Sequence, residues 1–344
     1  MNTTSTIRLI KQGRQRRFRK WLVINGMLAL LAIGLCIAML LLGNTIYPIS
    51  EVFQVLMGER VPGAYFAVNT IRLPRMLAGV FAGLAFGMAG HIFQTMLRNP
   101  LANPDVLGIT TGSSAAALFS ILIFQTSNTA VSLASVIAGL VTVLLIYLLS
   151  SGSHFSIGRL ILIGIGFQAA LSAVISYLLM IGSQEDMPAA LRWLSGSLNG
   201  AKMETLLPLI CTVLICAPLL LVLGKHLDIL ELGEESALSL GLSTNKIRLI
   251  LILSAVFMIA FATATTGPIA FVAFLSGPIA KRLVGTGYSN VLTAGLVGIN
   301  LVLGADLIGQ FAFEVRYPVG IITGLVGAPY LLYLLIRMNR KGYL

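Results

Sequence analysis

Long apolar runs recur along almost the whole chain, parted only by short polar gaps. Ten of them occupy Trp21–Leu42, Met76–Leu97, Ile109–Phe124, Val131–Leu149, Leu160–Ile181, Leu206–Leu223, Leu249–Thr265, Gly267–Ala280, Val291–Leu307 and Pro318–Ile336. A helix needs roughly 20 apolar residues to cross the hydrocarbon core of a bilayer, and most of these runs meet that length. Only 10% of the residues are charged against 57% hydrophobic, too few charges to coat a soluble core of this size. The pattern therefore predicts an all-α, polytopic membrane protein.

The cations set an orientation. Arg8, Lys11, Arg14, Arg16, Arg17, Arg19 and Lys20 precede the first run, and Arg98, Arg159, Lys225, Lys246, Arg248, Lys281, Arg282, Arg337, Arg340 and Lys341 fall in alternate gaps. These are 17 of the 23 Lys and Arg residues; Arg60, Arg72, Arg75, Arg192, Lys202 and Arg316 lie in the other gaps. Positive segments stay in the cytoplasm, which predicts both termini inside. The same bias decides the short run Gly267–Ala280, interrupted by Pro268, Gly277 and Pro278. Omitting it would move Lys281 and Arg282 to the outside, so ten spans are expected.

Residues 1–20 read as a basic cytoplasmic arm, and 21–344 as one ten-helix domain with a cytoplasmic segment at 225–246. The apolar run after the arm, about 22 residues, exceeds a signal-peptide core and lacks an A-x-A site, so a retained span is expected. The net charge of +11 follows from topology and attraction to anionic lipid; no aromatic-basic interleaving points to nucleic acid. Cys36, Cys211 and Cys216 sit in apolar runs with neither disulfide nor zinc spacing. No gap between runs reaches 40 residues, and no G-x-x-x-x-G-K-[ST] loop occurs. ATP hydrolysis, if it drives this chain, must come from another one.

Gly79, Gly83 and Gly87, four residues apart with alanines between, form a small-residue stripe that lets helix backbones approach in lipid. Packing within one bundle is favoured over a dimer seam; Gly320 and Gly324 repeat the device in the last run. His91 and Asp306 are the main ionisable residues expected within the membrane, read as hydrogen-bonded structural groups rather than proton relays. His91, His154 and His226 stand far apart and no H-E-x-x-H motif exists, so neither a metal centre nor enzymatic chemistry is expected.

The segment Lys225–Lys246 predicts a short helix over Glu234–Leu240. Glu234 and Glu235 lie in its first turn, where the helix dipole favours acids, and Gly241 suits the left-handed cap. Ser243 is an N-cap candidate for the next span. Ala237, Leu238 and Leu240 are apolar in a segment facing cytosol, which suggests a docking knob for a partner or, alternatively, an interfacial helix lying on the lipid headgroups.

An ordered set of motifs resembles one family. Arg72-Leu73-Pro74-Arg75 opens the glycine-striped run, which closes on Gln94 and Asn99-Pro100-Leu101-Ala102-Asn103-Pro104; Leu107-Gly108 and Thr111-Gly112-Ser113 follow. Next come Trp193-Leu194-Ser195-Gly196-Ser197-Leu198, Ala237-Leu238-Ser239-Leu240-Gly241 and Gly267-Pro268-Ile269-Ala270-Phe271-Val272. Gly304-Ala305-Asp306, Pro318-Val319-Gly320 and Gly327-Ala328-Pro329 complete the set. From about residue 50 onward the chain is similar to the FecCD permeases, membrane subunits of ATP-binding-cassette (ABC) importers for ferric siderophores, haem and vitamin B12.

The resemblance implies a type II importer subunit in a bacterial cell membrane, dimerising around a central pathway with an identical or related permease. It further implies an extracytoplasmic binding protein outside and two ATPase subunits inside, with no cofactor on the permease itself and iron arriving within its chelator. By the same likeness Arg72 and Arg75 face the binding protein, Asp228–Ser243 carries the coupling helix, and Ser156 and Ile157 form the inner gate. Among cargoes a ferric siderophore is favoured over vitamin B12 or haem; an ion-coupled carrier is the competing class. Two departures stand out. Relatives commonly carry Pro-His where this chain has Gly277-Pro278, and an acid before Pro-Val-Gly where it has Arg316 and Tyr317. Arg316 adds an outer cation to the expected docking face.

Overall fold

The computed structural model describes residues 3–103, 105, 108–150, 157–285 and 287–339. The described residues form helices joined by turns and loops, with no strand among them. Among the described residues, eight helices are long and apolar enough to cross a membrane. They are α1 (Thr3–Leu41), α3 (Leu73–Met96, extended upstream by a π-helix over Phe66–Arg72), α5 (Asn128–Ser150), α6 (Ile157–Ile181), α8 (Met203–Glu231), α10 (Thr244–Thr266), α12 (Val291–Phe311) and α13 (Val319–Asn339). Two shorter ones, α4 (Ile109–Leu122) and α11 (Val272–Val284), bring the bundle to the ten helices expected. Three surface helices, α2 (Ile49–Leu56), α7 (Met187–Leu194) and α9 (Glu234–Ser239), lie between them.

α3 is the axis of the bundle. Helices α8, α10, α11 and α12 pack around it, and most of its side chains from Ala78 to Thr95 are buried. Its glycine stripe explains the closeness. A Cβ on Gly83 would stand 2.7 Å from both the Gly298 carbonyl oxygen and the Ile299 Cα of α12, and one on Gly79 would stand 2.6 Å from Leu303 Cδ2. Gly87 faces the Ala294 carbonyl, and Gly298 returns the contact onto the Gly83 carbonyl. With no hydrophobic drive between helices in lipid, such backbone approach supplies the packing. The stripe therefore serves the α3–α12 contact within the chain. In α13 Gly320 repeats this against the Ser195 carbonyl, whereas Gly324 has open space around it.

Helices α4, α5 and α6 form a second group, joined to the first where α10 meets α5 and α4. α6 is the least covered span, and α13 leaves one face open.

Some expected boundaries move. The eighth span begins at Val272 and runs to Val284 instead of occupying Gly267–Ala280. Gly267 (φ +71°) ends α10 and Phe271 takes a left-handed φ of 64°, so the stretch between them is a turn. Pro278 then sits inside α11, where its missing N–H leaves the Phe274 carbonyl without a helical donor. Gln94 Nε2 on α3 donates to that carbonyl at 2.8 Å, and the missing Cβ of Gly277 gives the Gln94 amide its room. α8 continues past Leu223 to Glu231, and α1 carries the basic arm as one unbroken helix.

Candidate functional site

At the end of the bundle that holds α7, three motifs far apart in sequence meet. Ser197 N donates to the Thr266 carbonyl at 2.7 Å, and Gly320 N to the Gly196 carbonyl at 3.2 Å. Gly196 (φ +66°) faces the Pro268 carbonyl, and Gly267 faces the Trp193 carbonyl, so neither position has space for a side chain. The Trp193–Leu198, Gly267–Val272 and Pro318–Gly320 motifs are thus one junction.

Beside it opens a crevice of ≈ 320 Å³ lined by Arg75, Arg192, Ser197, Asn199, Arg316 and Tyr317 among others. Arg75 forms its floor. Its Nε and Nη2 donate to Asp306 Oδ2 and Oδ1 at 2.9 and 2.8 Å, and its Nη1 reaches Asn199 Oδ1 at 3.4 Å. Gln310 Nε2 donates to Asp306 Oδ2 at 2.7 Å. The Asp306 side chain is 1% exposed and that of Arg75 13%, so a bidentate pair joins the start of α3 to the end of α12. Asp306 is the structural group expected of it. His91 is buried on α3, and its Nδ1 has no hydrogen-bond partner among the described residues. Arg316 donates to Asn44 Oδ1 and is otherwise exposed, as is Arg192.

Arg72, grouped with Arg75 on sequence grounds, is placed differently. It is buried, and its Nη1 donates to the carbonyls of Leu40 and Leu41 at 2.8 and 2.9 Å while Nη2 donates to Thr45 O at 2.6 Å. The guanidinium also lies 5.1 Å from the Tyr47 ring centroid. Carbonyls at a helix C-terminus have no partner within the helix and carry partial negative charge, so Arg72 caps α1. Its donors point into the chain rather than to the rim. Arg192 and Asn199, which the motif reading passed over, share the crevice instead.

At the opposite end, α9 spans Glu234–Ser239, one residue shorter than expected, between Gly233 (φ +126°) and Gly241 (φ +79°). Gly241 takes the left-handed cap, and Leu242 N closes back on the Ala237 carbonyl at 3.0 Å. Ala237 is fully buried and anchors the helix, which corrects its expected exposure; Leu238 and Leu240 are 55% and 62% exposed. Ser243 holds the N-cap position of α10 without a side-chain hydrogen bond. The turn is tied down by Glu234–Arg248 at 3.3 Å, Glu231–Lys281 at 2.7 Å and Arg98 Nη2 on the Leu230 carbonyl at 3.3 Å. Such exposed pairs are each worth about 0–1 kcal/mol; they orient α9 more than they stabilise it. A crevice of ≈ 470 Å³ runs between Arg98, Arg248 and the α9 turn. Glu235 lines it too. Of the expected gate pair, Ser156 lies outside the described residues, and Ile157 opens α6 with its side chain outside them.

Comparison with known proteins fits this geometry. Residues 30–337 match the FecCD transport family. The chain is 40% identical over 296 residues to the ferric enterobactin transport system permease protein FepG of Escherichia coli, covering 85% of this chain and 89% of that protein. It is 34% identical over 335 residues to the achromobactin transport system permease protein CbrC of Dickeya dadantii, covering 95% and 96%. The Fe(3+)-citrate import system permease protein YfmE of Bacillus subtilis is 38% identical, with 80% and 84% covered. A solved inward-facing structure of a metal-chelate type ABC transporter superimposes with a TM-score of 0.81 at 29% identity, over 91% of this chain and 99% of that one. The chain is a multi-pass membrane permease and belongs to the FecCD transport family.

Proposed function

We propose that this chain is the permease subunit of an ABC importer that carries a ferric siderophore into a bacterial cell. The observation that carries the reading is the pairing of two unlike surfaces at the two ends of α3. One is an arginine-lined crevice; the other is a rigid helix presenting Leu238 and Leu240. The positive-inside bias assigns α9 and both termini to the cytoplasm. With that orientation the arginine crevice would face an arriving extracytoplasmic binding protein. Acidic side chains on such a protein would meet Arg316 and Arg192 at the open rim and Arg75 on the floor; pairing of this kind steers encounter and fixes register. Arg72 supports the same face from within, by holding α1 against α3.

On the cytoplasmic side α9 is the coupling element, with Glu234 and Glu235 in its first turn, Ala237 as its anchor, Leu238 and Leu240 as its knob, and Gly241 as its stop. ATPase subunits that close on ATP would push this helix, and the body it is tied to would move with it. The open faces of α6 and α13 suit a second permease across a central pathway, with Ser156 and Ile157 at its inner gate. The pathway needs no metal ligands of its own, since a chelate keeps the iron enclosed. The ferric cargo is favoured because FepG, CbrC and YfmE are named for ferric enterobactin, achromobactin and ferric citrate transport. Uptake of radiolabelled iron chelates by a strain lacking this chain tests the reading: one ferric siderophore should cease to enter and return on complementation. Unchanged uptake of every ferric chelate, with loss of vitamin B12 or haem entry, would reassign the cargo.

A further inference from the structure

One carboxylate inside the bundle has no role in this scheme. Asp105 belongs, by sequence, to a polar turn between two spans, yet it lines a cavity of ≈ 160 Å³ beside Phe86, Ile259 and the turn Pro268–Phe271. Phe86 lies near the middle of α3, about 20 Å along from its start at the 1.5 Å rise of a helix. Asp105 therefore lies alongside the middle of α3, and α4 begins four residues after it, at Ile109. Asn103 Nδ2 donates to Asp105 Oδ2 at 2.8 Å, and Thr110 Oγ1 lies within a hydrogen bond of Oδ1. Both partners are neutral. Among the described residues no Lys, Arg or His lines the cavity, and no ion pair includes Asp105. A carboxylate at this depth is costly unless its charge is balanced. Opposite it the chain is broken: the segment between α10 and α11 leaves helical geometry at Gly267 and re-enters only after Phe271. In transport proteins, unwound backbone carbonyls and the C-terminal ends of broken helices coordinate small cations in mid-membrane.

We propose that this cavity binds an alkali-metal cation, with the Asp105 carboxylate, the Thr110 hydroxyl and the Asn103 amide oxygen on one side and the Ile269 carbonyl on the other. All these donors are hard oxygens, which select alkali and alkaline-earth ions over transition metals. One carboxylate neutralises one charge, whereas a divalent ion would leave a net positive charge in hydrocarbon. The volume also leaves space for a few waters at about 30 Å³ each. An ion there ties the α3–α4 turn to the α10–α11 break, directly beneath the junction that supports the arginine crevice.

The proposal stands whether or not an ATPase drives this chain. Its test is thermal unfolding of the purified permease in detergent at fixed ionic strength, with sodium or potassium exchanged for choline. The wild-type midpoint should rise with one of the two alkali ions and saturate, as expected when a ligand binds only the folded state. Asp105→Asn should abolish that rise, and Thr110→Val should weaken the half-saturating concentration roughly tenfold, the equivalent of one lost ligand of about 1.4 kcal/mol. Midpoints identical in sodium, potassium and choline would overturn the site, as would an undiminished response in Asp105→Asn. If that variant does not fold, an undiminished response in Thr110→Val overturns it.

Discussion

Replacing Arg75 by Met is the perturbation from which most can be read, because it separates a structural role from a docking role. Asp306 would then stay buried with Gln310 as its remaining partner. Breaking a buried pair from one side costs about 3–5 kcal/mol, whereas exchanging both members for apolar residues is often neutral. Arg75 is 13% exposed, so little screening reduces the figure. The single variant Arg75→Met should therefore lose roughly 3 kcal/mol or more, Asp306→Leu a similar amount, and the double variant much less than their sum. Denaturant unfolding of the four proteins in mild detergent closes the cycle. A coupling energy of at least about 2 kcal/mol is expected, well above the roughly 0.5 kcal/mol within which independent sites add. Additive losses would refute the claim that this pair locks α3 to α12. The stable double variant then reports on docking alone: it should assemble with its ATPase but respond weakly to the binding protein.

Further expectations follow from the same contacts. Gly83→Val drives a side chain into the backbone at Gly298 and Ile299, and overpacking of that kind costs about 1–3 kcal/mol. Its yield of folded, monodisperse permease should fall sharply, while Gly304→Ala, with open space around it, should leave yield unchanged. Leu238→Glu with Leu240→Glu should leave thermal stability intact, since both are exposed, yet prevent co-purification of the ATPase. Arg192→Glu with Arg316→Glu should abolish stimulation of ATP hydrolysis by the loaded binding protein, and unaltered stimulation would remove both from the docking face.

The ten-helix bundle was legible because bilayer thickness imposes a length on every span and lipid excludes charge from it. The partner of the glycine stripe was not legible, since Gly79, Gly83 and Gly87 look the same whether they face α12 or another chain; Gly298 on α12 became meaningful only in contact. Arg72 and Arg75 are alike in sequence and only three residues apart, so one motif suggested one role. The π-helix ending at Arg72 has a wider turn than an α-helix, and it delivers the two guanidiniums to different neighbours. Ala237 illustrates a second limit: a six-residue helix has too few turns for its buried face to be read from periodicity. Asp105 was missed for a simpler reason. Its segment reads as a polar gap between two spans, and nothing in the sequence around it reveals that Asp105 lines a cavity beside Phe86. Gly267 and Pro268 did announce a break, but apolar Ile269, Ala270 and Phe271 concealed how far it extends.

The central claim is that a separate ATPase, pressing on α9, powers passage through this permease. Proteoliposomes holding the permease with its ATPase, supplied with a binding protein loaded with ferric siderophore, test it most directly. Accumulation of iron should require ATP on the α9 side and vanish in the Leu238→Glu, Leu240→Glu variant. Accumulation driven by a sodium or proton gradient, with the ATPase left out, would contradict the account.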